Sequence, residues 1–169
     1  MKKYVFKPYS ETFPELFRKE KERIAPHIKG ALAIEHVGST AVPGLGGKGI
    51  IDIAIAVNQR DISLASKQLQ NLGYEFREGR STAARLFFRI DLPDSEEGVR
   101  RYHVHLADCE GNDWKGLIGF RDYLRIHPEE AEQYAEVKKR AAMEANHDGK
   151  KYRKLKEHIF KKILSITRS

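Results

Sequence analysis

The chain has 169 residues, 40% hydrophobic and 33% charged, with a formal net charge of +7, the length and composition of one ordinary globular domain. Its single cysteine, Cys109, excludes an internal disulfide and points to a reducing compartment. The opening MKKYVFKPYS has no apolar run behind it, and no stretch approaches the roughly 20 apolar residues of a membrane span, so a cytoplasmic location without membrane partners is expected.

Tyr9–Ile28 reads as a first helix, capped by Ser10, with Phe13, Leu16, Phe17 and Ile24 as its apolar stripe. ALAIEHVG (Ala31–Gly38) and GIIDIAIAV (Gly49–Val57) read as strands joined by a Pro-Gly loop. Asp61 is placed to cap a second helix, ISLASKQLQNL, which Gly73 ends in a left-handed conformation. Three β-like runs follow: YEFRE, ARLFFRIDL and RRYHVHLAD. Asp113 is placed to cap WKGLIGFRDYLRIH and Pro128 to end it; EEAEQYAEVKKRAAMEA and KKYRKLKEHIFKKILSI then read as two more helices. Central strands with helices at both ends predict an α+β fold, a sheet of four to five strands with helices packed on one face. The helical C-terminal part is expected from about 113 to 169. No linker, repeat or low-complexity segment divides the sequence, so one domain over 1–169 is expected.

The positive charge is not spread evenly. Eleven basic and three acidic residues fall between Lys138 and Ser169, which is more than the whole net charge. Tyr152, Leu155, Ile159, Phe160, Ile163 and Leu164 recur there at helical spacing, so the charge reads first as the solvated face of an amphipathic helix. A nucleic-acid footprint is the alternative, although no aromatic residues alternate with the lysines.

Strand alternation sorts the remaining chemistry. In IIDIAIAV, Ile51, Ile53, Ile55 and Val57 share one face; Asp52, Ala54 and Ala56 share the other, which is expected to stay uncovered and leave room for a ligand. In ARLFFRIDL, Arg85, Phe87, Arg89 and Asp91 oppose Leu86, Phe88, Ile90 and Leu92; in RRYHVHLAD, Arg101, His103 and His105 oppose Tyr102, Val104 and Leu106. Neighbouring strands would gather Asp52, Arg85, Arg89, Arg101, His103 and His105 on one surface suited to an anion and a metal. GSTAVPGLGGKG is not a Walker loop: Val42 stands where its first glycine belongs, Gly49 follows Lys48, and a strand rather than a helix comes next. It remains either a turn whose backbone N–H groups and Ser39 hydroxyl hold a phosphate or a tight turn whose glycines serve geometry alone. His103 and His105, with Asp52, have a spacing suited to zinc, manganese or iron. The same pair can be structural, or supply a general base without metal. Trp114, Leu117, Phe120 and Leu124 read as core, with Arg121 placed toward the sheet.

EHVGSTAVPGLGGKGIIDIAIAV, RYHVHLAD and FRDYLRIHPEEAEQYAEVKKRAA, in that order and over nearly the whole chain, resemble the GrpB family. The resemblance implies a nucleotidyltransferase-like mixed sheet, the fold of DNA polymerase beta and of antibiotic nucleotidyltransferases. That superfamily carries a Gly-Ser turn, then two acids spaced by one residue on the next strand, then a third on a later strand. Gly38, Ser39 and Asp52 match; Ala54 stands where the second acid belongs, and His103 and His105 where the third is expected. The resemblance thus implies a nucleotide or phosphorylated small molecule bound by Gly38, Ser39, Lys48, Arg85, Arg89 and Arg101. Asp52, His103 and His105 would be the catalytic residues and the ligands of one divalent metal: magnesium, manganese or zinc. A non-catalytic nucleotide- or RNA-binding module, and a metal-dependent phosphoester hydrolase, are the alternatives.

Overall fold

A computed structural model of the protein describes residues 6–144 and, beyond them, Glu157, Lys161 and Ser165. In chain order the elements are α1 (Phe13–Ile24), β1 (Ala33–Val37), β2 (Ile51–Val57), α2 (Ile62–Asn71), β3 (Glu75–Phe76), β4 (Arg85–Asp94), β5 (Gly98–Asp108), α3 (Asn112–Ile126) and α4 (Pro128–Glu144). Of the expected last helix only Glu157, Lys161 and Ser165 are described, and all three are helical; its apolar stripe from Tyr152 to Leu164 and most of the basic excess lie outside the described residues.

The five strands form one mixed sheet of order β1-β2-β5-β4-β3, in which only β2 and β5 run parallel. The fold is α+β, a mixed five-stranded sheet with helices, as the order of strands and helices predicts. β2 sits inside the sheet with both faces buried except at Asp52, as its nearly unbroken apolar sequence demands. Ile51, Ile53, Ile55 and Val57 join Phe88, Tyr102, Val104 and Leu106 in the main core. α1 and α2 close that core through Phe13, Ile24, Ala65 and Leu69. Gly73 has φ +100°, so it ends α2 in the left-handed conformation its position predicts.

The opposite face is less open than alternation suggests. α3 reaches it through Arg121, which donates to Glu35 Oε2 at 2.9 Å and to His36 O at 3.2 Å. Ala54, Ala56 and Ala107 on that face are buried. The C-terminal helical region therefore covers part of the sheet, and the part around Asp52, with the flanking Arg89, Asp91 and Arg101, stays accessible.

A second core explains how the glycine-rich loop is held. Val42 and Leu45 pack with Phe120 and Leu124 of α3 and Ala131, Tyr134 and Ala135 of α4. Arg125 donates to Ala41 O at 2.9 Å and Lys138 to Gly46 O at 3.2 Å. Lys138, expected on a solvated face, is buried, and its ammonium lies 4.7 Å from the Tyr134 ring centroid. Gly47 pairs with Lys7 in an isolated bridge, and a Cβ on Gly46 would fall 2.6 Å from Lys7 O. Glycine here lets the N-terminal segment lie against the loop.

Helix ends differ from expectation in detail. Thr12, not Ser10, is the residue before α1; Ser10 Oγ instead accepts the Thr12 N–H at 3.2 Å. Asp61 holds the cap position of α2 without a side-chain cap bond. Gly111 precedes α3, so Asp113 lies in its first turn, where its charge suits the helix dipole. Pro128 does follow the end of α3, and it opens α4, since proline is tolerated in a first turn.

Candidate functional site

An ionised carboxylate among isoleucines is costly without partners, and the β2–β5 register supplies them. Asp52 stands opposite His103 and Ala54 opposite His105. Asp52 Oδ1 lies 3.4 Å from His103 Nδ1 and 3.2 Å from His105 Nε2, with 22% of its side chain exposed. Its companion is thus an imidazole pair on the next strand, where the open face had suggested a ligand alone. Burial pushes the Asp52 carboxyl upward, but the hydrogen bonds from His103 and His105 overcome it and hold the group below the usual carboxylate range. For His103 burial dominates and depresses the imidazole; Asp52 opposes this, while Arg80 and His105 add to it.

The contacts fix how His105 is protonated. Arg85 Nη1 approaches His105 Nδ1 at 3.2 Å, and a guanidinium can only donate. Nδ1 therefore accepts, which leaves Nε2–H to donate to Asp52. Arg85 Nε, beside this contact, is buried with no hydrogen-bond partner. Phe87, opposite His105 in the register, lies under both imidazoles, with ring centroids 4.7 Å from His103 and 5.2 Å from His105.

Gly38 brings the turn against the acid. Its φ of +75° favours glycine, and a Cβ there would lie 2.5 Å from Asp52 Oδ2. The short 3-10 turn Ser39–Ala41 follows. The Ser39 hydroxyl faces the loop: a Cβ on Gly47 would meet Ser39 Oγ at 2.7 Å and Lys138 Nζ at 3.1 Å. His36 anchors the turn from the core side. Thr40 Oγ1 donates to Ile50 O at 3.1 Å and so accepts from His36 Nε2 at 2.9 Å, while the imidazole stacks on Phe17. Burial depresses His36 to about 4, against a raising field from Asp52.

Of the residues expected at the site, Gly38, Asp52, Arg85, His103 and His105 come together. Arg89 stands opposite His103 but also faces Glu75 at 3.4 Å. Arg101 shares the face and is paired with Asp91 at 2.9 Å. Lys48 is exposed on the loop. Phe87 and Arg80 join the site without any motif to mark them, although the alternation that selects Arg85 and Arg89 also selects Phe87. Lys138, part of the basic tail by sequence, reaches the loop instead. For a metal, the donor set is one carboxylate and two imidazoles turned onto the same oxygen. Among the described residues, no three His, Cys, Asp or Glu side chains are grouped to hold an ion.

The family model described as GrpB protein matches residues 3–165. A UPF0157 protein of Pseudomonas aeruginosa is 37% identical over 159 residues, covering 93% of this chain and 64% of the relative. A UPF0157 protein of Bacillus subtilis is 34% identical over 139 residues, covering 79% and 38% respectively. The chain therefore spans less than two thirds of the length of these curated relatives. The crystal structure of conserved protein GrpB from Enterococcus faecalis superposes with a TM-score of 0.79 at 26% identity, covering 98% of this chain and all of that one. A chain of the GLD-2/RNP-8 complex superposes with a TM-score of 0.59 at 10% identity, covering 96% of this chain and 61% of the other. That likeness is one of fold alone.

Proposed function

Since the chain belongs to the GrpB family and has a nucleotidyltransferase-like fold, we propose that it binds a nucleotide or another phosphorylated small molecule over Asp52. The observation that carries this reading is the Gly38 turn packed directly on the Asp52 carboxylate. It sets backbone and acid side by side, the arrangement that grips a phosphate next to a cation. Arg85, with a buried unpartnered Nε beside His105, supplies a donor for phosphate oxygens. Arg89, Arg101 and Lys48 are exposed enough to add charge at the rim.

A divalent ion, magnesium, manganese or zinc, belongs to this reading as a companion of the phosphates. Magnesium in particular is held by one or two carboxylates completed by substrate phosphates and water, which suits Asp52. His103 and His105 join as ligands only by turning away from Asp52 Oδ1; as they stand, they orient and polarise that carboxylate. When bound, the ion would neutralise phosphate charge as a Lewis acid. Nucleotidyl transfer is the proposed reaction class, in a cytoplasmic setting.

A second reading, a binding module without transfer chemistry, is favoured by the surroundings of Ala54. Its neighbour on β1, Glu35, is held by Arg121, and no second carboxylate stands at the Ala54 position itself.

The test is a thermal-shift screen of nucleotides with each metal, on wild type and Asp52→Ala. A ligand at one hundred times its dissociation constant stabilises by about 2.7 kcal/mol, a shift of roughly 5–10 °C for this size. A metal-dependent shift that Asp52→Ala abolishes supports the reading. No shift with any pair refutes it.

A further inference from the structure

The arginines reached by strand alternation are not the only cations near His103. Between β3 and β4 the chain makes a short 3-10 turn, Glu78–Arg80. The next residue pins it back over the sheet: Ser81 Oγ donates to Arg77 O at 2.8 Å and accepts the Phe87 N–H at 2.9 Å. This carries the Arg80 guanidinium onto the Phe87 ring, 4.0 Å from its centroid. That ring is 1% exposed and is the same one that contacts both imidazoles. Arg80 itself is exposed, and a Cβ on neighbouring Gly79 would meet nothing within 4 Å, so the approach to the turn is open. The positive field of Arg80 is felt at His103, which puts the cation within electrostatic range of the Asp52 centre.

A guanidinium held on an aromatic ring is restricted in position, and its planar N–H fork matches phosphate oxygens two at a time. The stack also restricts a side chain that would otherwise lose rotamer freedom on binding. Arg85, with its unpartnered Nε, adds a second guanidinium next to the two imidazoles. The Gly38 turn, between β1 and β2, and these arginines, Arg85 on β4 and Arg80 in the turn before it, thus flank His103 of β5 from opposite sides.

Resting on the nucleotide-binding reading above, the geometry points to Arg80 as a further ligand-contacting residue, an anion-binding guanidinium mounted on Phe87 that holds phosphate oxygens of the ligand opposite the Gly38 turn. Phe87 is its platform and acts through it. The test measures binding of ATP, CTP, GTP and UTP, each with magnesium, by calorimetry at one fixed salt concentration. The proteins are wild type, Arg80→Ala, Arg80→Glu and Arg60→Ala; Arg60 is 84% exposed on another turn and controls for general charge loss. Arg80→Ala should weaken the tightest nucleotide roughly tenfold to a hundredfold, the loss of a charged hydrogen bond, and Arg80→Glu should weaken it further. Arg60→Ala should stay near wild type, and the melting temperature of Arg80→Ala should fall by no more than a few degrees, the worth of one exposed cation–π contact, which separates a ligand contact from a structural one. Wild-type affinity in both Arg80 variants overturns the assignment of Arg80 and leaves nucleotide binding standing. Failure of wild type to bind any of the four overturns the underlying reading, and the role of Arg80 with it.

Discussion

His36 should make this protein lose stability in mild acid, by an amount the structure allows to be worked out. Its imidazole is 6% exposed, stacks on Phe17 and donates to Thr40. Burial lowers its pKa from 6.5 to about 4. A histidine depressed on folding stays neutral in the native state while its unfolded counterpart takes up a proton. Stability is therefore complete above the unfolded value and falls as pH drops from 6.5 towards 4. A tenfold change in proton affinity is worth about 1.4 kcal/mol, so the full loss is about 3 kcal/mol. About 2 kcal/mol of that is already lost between pH 8 and pH 5. Urea unfolding at pH 8, 6.5 and 5, on wild type and His36→Gln, measures it. His103, also depressed by burial, contributes with the same sign in both proteins, so the difference between their pH slopes isolates His36. The expected result is a wild-type slope steeper by about 2 kcal/mol over that range. Equal slopes would show that His36 protonates in place, and would refute the hydrogen-bonded neutral imidazole as anchor of the turn.

Gly38→Ala places a methyl group 2.5 Å from Asp52 Oδ2 at φ +75°; it should destabilise by at least the ~1–2 kcal/mol of left-handed strain and abolish the nucleotide-dependent thermal shift. Lys138→Met keeps the length of a buried side chain but removes the donor to Gly46 O; a loss of about 1–3 kcal/mol in chemical denaturation is expected from the unpaired carbonyl. Arg121→Met removes the bonds to Glu35 and His36 O and should cost about 2 kcal/mol, less than a fully buried pair because Glu35 is 44% exposed. If Arg121→Met is neutral by the same assay, α3 does not depend on that bond for its seat on the sheet.

Much of the site is legible in the amino-acid sequence because side-chain alternation is a local property. Within its own strand each of Asp52, the pair His103 and His105, and the pair Arg85 and Phe87 falls opposite the apolar set whatever the strands pair with, and the isoleucines of β2 have to find a helix layer on the other side. The GrpB resemblance rests on ordered blocks of sequence and predicts the sheet type. Local rules also find Gly73, because a left-handed residue after a helix needs no distant partner. Element ends are less legible: Ser10 and Asp113 look like caps by type, but which residue stops being helical depends on what the preceding chain packs against.

Sequence alone, then, determined which residues face together; tertiary structure decided which faces meet. Parallel pairing of β2 with β5 joins residues about fifty positions apart, and that register, rather than any motif, gives Asp52 two imidazoles as partners. The seat of α3 on the alanine side of the sheet, and the hold of Lys138 on the glycine loop, depend on shape fitting between segments far apart in the chain. Arg80 reaches the site only because Ser81 folds its turn back onto Phe87. Hydrophobic periodicity takes no account of such contacts, since burial fixes that a surface is covered and packing fixes by what.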